Sequence, residues 1–243
     1  MFRKKISLLL LSVLALLVSI QSASADDLTL DLNAGFYSDY MFRGFNLYDG
    51  TSIQPAVGLG YGLSDSSSVN FSAWSHLSGE GGKSTATKFT EIDYTASYDV
   101  SFDNVGLSFG HIWYTYPADS DGINDTSEFF ASIAFDTFLT PTVSAYHDYE
   151  EFDAQYYELG LSHTVETDAL GDGFNMTPYV TFAFASNADK VYADDGLVHV
   201  TFGVSFDAAI GDVVLSPSLN VTREADDLTE NEFWTGINFG YSM

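Results

Sequence analysis

From Leu28 onward, apolar residues recur at every second position. Successive side chains of a β-strand point to opposite faces, so a period of two marks strands with one apolar and one polar face. The first such run sets Leu28, Leu30, Leu32, Ala34 and Phe36 against Thr29, Asp31, Asn33 and Tyr37. Carried on without a bulge, its parity keeps Asp39 and Arg43 on the polar face. The segment N-L-Y-D-G-T-S (Asn46 to Ser52) reads as a loop. Beyond it, Ile53, Pro55, Val57, Leu59, Tyr61 and Leu63 oppose Gln54, Ala56, Gly58, Gly60 and Gly62. A turn at Asp65–Ser68 leads to Val69, Phe71, Ala73 and Leu77, opposed by Asn70, Ser72, Trp74 and His76. This is a hairpin with one greasy face and one small or polar face.

The rhythm continues to the end of the chain. Ile92, Tyr94, Ala96, Tyr98, Val100 and Phe102 oppose Glu91, Asp93, Thr95, Ser97 and Asp99, and later segments pair Tyr157, Leu159 and Leu161 with Glu158, Gly160 and Ser162. Polar loops at Gly79–Lys88, Pro117–Ser127, Glu150–Asp153, Asp194–Gly196 and Arg223–Glu230 alternate with short turns. The turns fall at Asp103-Asn104, Leu139–Pro141, Leu170–Phe174 and Ile210–Asp212. About twelve strands of roughly ten residues result, with both termini on the short-turn side, as in outer-membrane barrels. The expected fold is all-β: a transmembrane, antiparallel, up-and-down β-barrel of about twelve strands.

A soluble sandwich alternates as well, and aromatic placement separates the two. Phe42, Phe89, Trp113, Tyr114, Tyr116, Phe129, Tyr149, Tyr156 and Phe233 fall near long-loop ends. Tyr61, Phe102, Phe138, Phe206, Phe239 and Tyr241 fall near short-turn ends. Two aromatic girdles around an aliphatic band are the pattern of strands that cross both lipid interfaces. Gly, Ser, Thr and Asn on the other face are too small and polar for a dry core and suit a wet lumen.

The N-terminus is an address. Arg3, Lys4 and Lys5 precede the apolar run Ile6–Ile20, and Ala23-Ser24-Ala25 fits a small-x-small cleavage site. Residues 1–25 are therefore expected to be a signal peptide and 26–243 one barrel domain. Without those three basic residues the formal charge of −26 falls to −29, and five basic residues remain against 34 acidic ones. Such a surface repels nucleic acid. Cysteine is absent, so neither disulfides nor thiol chemistry holds or serves the fold.

The S-D-Y-M-F-R-G run (Ser38–Gly44), with Asp49-Gly50 and Gln54-Pro55-Ala56, resembles the TorF-like family of outer-membrane porins. E-I-D-Y-T-A-S-Y (Glu91–Tyr98), W-Y-T-Y-P (Trp113–Pro117) and S-E-F-F-A-S from Ser127 extend the likeness over the first half of the mature chain. The resemblance implies a barrel with pore activity and no named solute. G-I-N-F-G-Y (Gly236–Tyr241) resembles the terminal signal read by the barrel assembly machinery, although this chain ends Ser242-Met243.

Asp39, Arg43, Asn70, Trp74, Glu91, Asp93, Asp99 and Glu158 are the candidate pore-lining residues, with Glu91 or Asp93 as expected partners of Arg43. Inward carboxylates favour cations. His147 and Asp148 are adjacent, so they face opposite sides of a strand, and neither G-x-S-x-G nor H-E-x-x-H occurs. No enzyme activity, cofactor or metal is expected. The loop D-S-D-G-I-N-D (Asp119–Asp125) lacks the glutamate a calcium loop needs at its twelfth position, where Phe130 stands. The expected role is a passive channel for small hydrophilic solutes in the cell outer membrane. Its partners would be membrane lipid, lipopolysaccharide and the assembly machinery. The competing expectation is a non-conducting barrel whose acidic loops serve adhesion or docking.

Overall fold

The computed structural model describes residues 28–78, 89–117, 124–166, 174–225, 229 and 231–243. The expected signal peptide, the Gly79–Lys88 loop, most of Asp119–Asp125, the Leu170–Phe174 turn apart from Phe174, and much of Arg223–Glu230 lie outside these residues.

The chain forms one antiparallel sheet: β1 (Leu28–Phe42), β2 (Phe45–Ser64), β3 (Ser67–Ser78), β4 (Phe89–Phe102), β5 (Val105–Thr115), β6 (Thr126–Phe135), β7 (Thr142–Asp148), β8 (Gln155–Ser162), β9 (Val165–Glu166), β10 (Phe174–Ser186), β11 (Gly196–Ile210), β12 (Val213–Glu224) and β13 (Glu232–Ser242). Each strand pairs with its neighbour in sequence, except that β8 and the two-residue β9 both pair with β10. They are two pieces of one stave, broken at His163-Thr164, so the barrel has twelve staves. β13 pairs with β1 from Asp31↔Ser242 to Tyr37↔Gly236. The Leu30 and Met243 backbones then exchange bonds of 2.8 and 3.0 Å. The sheet has no edge, which is what lets strands cross hydrocarbon where water cannot satisfy free N–H and C=O groups.

The outward face carries the apolar half of the pattern. Val57, Leu59, Phe202 and Leu219 are 37–50 % exposed around the middle of the wall. A soluble protein rarely shows so continuous an apolar belt. Phe89, Phe129, Tyr149 and Phe233 are exposed at the long-loop rim, and Phe102, Phe138 and Phe239 at the short-turn rim. The upper girdle is thinner than the sequence suggests. Tyr114 and Tyr156 are buried inside the barrel, 5 % and 4 % exposed, and Phe42 stacks edge-on against Tyr114.

The first loop is not a loop. β2 starts at Phe45 and runs through the N-L-Y-D-G-T-S segment, and β1 meets it at a two-residue turn, Arg43-Gly44. Both turn residues have positive φ (49° and 91°), which is the geometry that matches strand twist in a tight hairpin. Register shifts between Tyr37 and Asp39 and between Tyr40 and Met41 bend this hairpin and break the parity of β1. Tyr40, 5 % exposed, therefore turns to the lumen, and Asp39 instead accepts bonds from Ser38 (2.6 Å) and Asn46 (3.3 Å).

A charge on the outer wall should be far more harmful than a change on the inner one. Leu59→Arg is expected to lower folding stability by about 2–4 kcal/mol, and Ser72→Thr in the lumen by no more than about 0.5 kcal/mol. Urea titration of the barrel in lipid vesicles, followed by tryptophan fluorescence, measures both.

Candidate functional site

The lumen has two halves. Toward the short turns its wall is built from Gly62, Ser64, Ser66, Ser68, Ser108 and Ser132, around a recess of about 490 Å³ that is open at the mouth. A Cβ added at Gly106 would meet nothing within 4 Å. Asp99 sits here, accepting from Asn70 and from Ser97 (3.3 Å). Higher up, Tyr37 lies flat on the wall. A Cβ at Gly236 or Gly35 would come within 2.0 or 2.5 Å of its ring, so only glycine lets it lie there.

The half toward the loops is filled. The bent β1–β2 hairpin brings its tip over the lumen. The Arg43 guanidinium forms a two-pronged pair with Glu128 of β6, Nη1 to Oε1 at 2.6 Å and Nη2 to Oε2 at 2.7 Å. Tyr114 donates to the same carboxylate at 2.9 Å. The guanidinium carbon lies 4.8, 4.6 and 4.5 Å from the ring centres of Phe42, Tyr146 and Tyr156. Cations are drawn to the negative faces of such rings, most strongly where water is excluded. The tip is also held through its backbone: Tyr192 donates to the Arg43 carbonyl at 2.9 Å, and Gly44 packs on the His199 ring. A left-handed backbone at a non-glycine residue costs on the order of 1–2 kcal/mol, which these contacts offset.

Around this centre, Tyr156 donates to Glu158 (3.1 Å) and its hydroxyl meets His199 Nε2 (2.8 Å). Tyr40 donates to Glu91 (2.8 Å) and stacks on His76, with Trp74 beyond. Asp148 accepts from Thr126 and from the backbone N–H groups of Glu150, Glu151 and Phe152, fixing the loop after β7. The buried apolar cluster of the described residues also lies here, formed by Tyr156, Ala183, Ala185, Ala188, Tyr192 and Val198.

The structure thus spreads the sequence candidates over separate groups. Arg43 meets Glu128, not Glu91 or Asp93, because the bent hairpin carries its tip across the lumen past β4. Trp74 and Glu91 gather round Tyr40, and Trp74 is directly opposite Asp93 on the adjoining strand. Glu158 belongs with Tyr156, Asn70 with Asp99, and Asp39 joins none of these groups. Sequence reading missed Glu128, Tyr40, Tyr114, Tyr156, Tyr192 and His199 as lumen residues. The signal for Glu128 was present: Phe129, Ala131 and Ile133 face outward, which puts Glu128 inside.

The histidines are scattered. His76 bonds to Thr90, His111 to Tyr149, His147 to Gln155, His163 to the Phe138 carbonyl and His199 to Tyr156. Among the described residues no three His, Asp or Glu side chains lie close enough together to hold a metal ion.

No family model and no curated protein matches the chain. Solved structures do. The COG4313 outer membrane channel from Pseudomonas putida F1 is 12 % identical, with a TM-score of 0.56 over 89 % of this chain and 95 % of that one. LpxR from Salmonella typhimurium is 11 % identical, with a TM-score of 0.55 over 88 % and 99 %. The outer membrane phospholipase A from Escherichia coli is 13 % identical, with a TM-score of 0.50 over 92 % of each chain. At these identities the likeness establishes the fold alone: the chain is a twelve-stranded barrel of the outer-membrane type.

Removing one partner of the Arg43–Glu128 pair leaves the other charge buried and alone. Glu128→Ala is expected to destabilise the barrel by about 3–5 kcal/mol. The double variant Arg43→Met/Glu128→Leu is expected to recover most of that loss. Unfolding midpoints of the two variants in the same detergent test the pair.

Proposed function

We propose that this protein is a narrow channel for small hydrophilic solutes, cation-leaning, with its constriction at the Arg43 tip. The observation that carries this reading is the asymmetry of the lumen. A small-residue, polar tube opens at the short-turn mouth and ends against a plug in which the Arg43 hairpin tip packs on wall side chains, Glu128, Tyr114, Tyr146 and Tyr156 among them. Glu91, Asp93, Asp99, Glu128, Asp148 and Glu158 line the barrel, and Arg43 is the sole Lys or Arg turned into it among the described residues. A ring of carboxylates favours cations over anions. The filled upper half favours a second reading, a non-conducting barrel that acts through its acidic loops.

The same proposal places the protein in the outer membrane of a Gram-negative cell, exported with residues 1–25 removed, assembled by the barrel machinery and bordered by lipid and lipopolysaccharide. It keeps the TorF-like porin affinity of the Ser38–Gly44 run. It assigns no hydrolytic activity.

Recording in planar bilayers decides between the two readings. The wild type is expected to give small ohmic steps with a cation-selective reversal potential, and Arg43→Ala steps severalfold larger. Asp99→Asn is expected to weaken the selectivity. Silence from both the wild type and a well-folded Arg43→Ala barrel would leave the non-conducting reading.

A further inference from the structure

We infer that the cage around the Arg43 head group is a binding site for an external guanidinium cation, and that Arg43 is its tethered occupant. A guanidinium is flat: it takes a paired acceptor in its plane and stacks on aromatic rings. The cage supplies both. Glu128 offers its two oxygens, one to each Nη, and Tyr114 holds that carboxylate in place through its 2.9 Å bond. Phe42, Tyr146 and Tyr156 put ring centres within 4.8 Å of the guanidinium carbon.

The occupant is built to leave. Arg43 is at the apex of a two-residue turn, beyond the last ladder pair Phe42↔Phe45, so swinging it out breaks no strand pairing. What must part is the fork to Glu128, the stacking on the Tyr146 and Tyr156 rings, the Tyr192 bond to its carbonyl and the contact of Gly44 with His199. A cleft of about 90 Å³ adjoins the guanidinium, bordered by Phe45, Tyr116, Phe152 and Val191, and gives an incoming group a place beside it. Binding at the cage does not require conduction; only its use as a station for a transported solute rests on the channel reading. The ligand class is therefore a small solute with a guanidinium group, which would compete with Arg43 for Glu128 and free the tip.

Methylguanidinium, the head group without its tether, is the probe. Arg43→Ala, refolded in detergent, is expected to bind it with a rise in melting temperature and a saturable titration by calorimetry. Methylammonium, which cannot form the two-pronged contact, is expected to bind at least about tenfold more weakly. Adding Glu128→Gln should abolish the difference. If Arg43→Ala does not refold alone, its refolding yield with added cation serves in place of the titration: methylguanidinium is expected to restore folding by pairing with the stranded Glu128 and methylammonium is not, and equal or no rescue overturns the cage. In bilayers, methylguanidinium is expected to block the variant channel and to open the wild type. Binding with no current from any variant keeps the cage and removes the channel. Current without binding, or equal binding of the two cations, overturns the cage.

Discussion

Hydrocarbon offers no hydrogen bonds, so every backbone N–H and C=O of a strand crossing it must find a partner in another strand. The pairing of β13 with β1, continued by the Leu30–Met243 exchange, meets that demand by closing the sheet on itself. Closure then dictates the rest. Each strand must alternate, one face must be apolar toward lipid, and the other must enclose either water or packed side chains. This barrel does both at different heights. Gly, Ser and Asn leave the short-turn half wet, while tyrosines, alanines and one ion pair fill the loop half.

The outward face was legible in the sequence because it is a local, periodic property. Val57, Leu59, Phe71, Tyr94, Phe202 and Leu219 follow the two-residue rule without exception, and the stave count follows from the turns between them. β1 was legible only as far as Tyr37. The register shifts beyond it insert residues that no period announces, so Asp39 was placed inside and Tyr40 was not. The segment Asn46–Ser52 was misread for a related reason. Asn46, Asp49 and Gly50 are turn formers, but here Gly50 bends a strand whose ladder continues.

The inner face is less legible because its contacts cross the lumen. Arg43 and Glu128 are 85 residues apart, and no spacing rule joins them. Parity could place Glu128 inside and Tyr156 beside Glu158, but it could not say that the β1–β2 tip reaches both. The upper girdle went wrong in the same way. Tyr114 and Tyr156 have the right height for a lipid interface and the wrong parity, and parity wins, because side-chain direction is fixed by the pleat while height is shared by both faces.

The ion pair itself raises the remaining question. Removing a guanidinium and a carboxylate from water costs several kcal/mol for each ion, and apolar side chains of the same volume would fill the mouth with equal or better stability. Stability alone therefore does not account for Arg43 and Glu128. Nor does it account for a left-handed arginine at the tip, where glycine or asparagine would turn the chain without strain. An apolar plug, however, cannot be competed away by a solute and cannot part into water without exposing grease. A charged tip can do both: each partner is well solvated once separated, and each will accept a substitute of matching charge and shape. On the proposed reading, the costs of the arrangement are those of a closure that can part and re-form, set at the loop end of a polar tube.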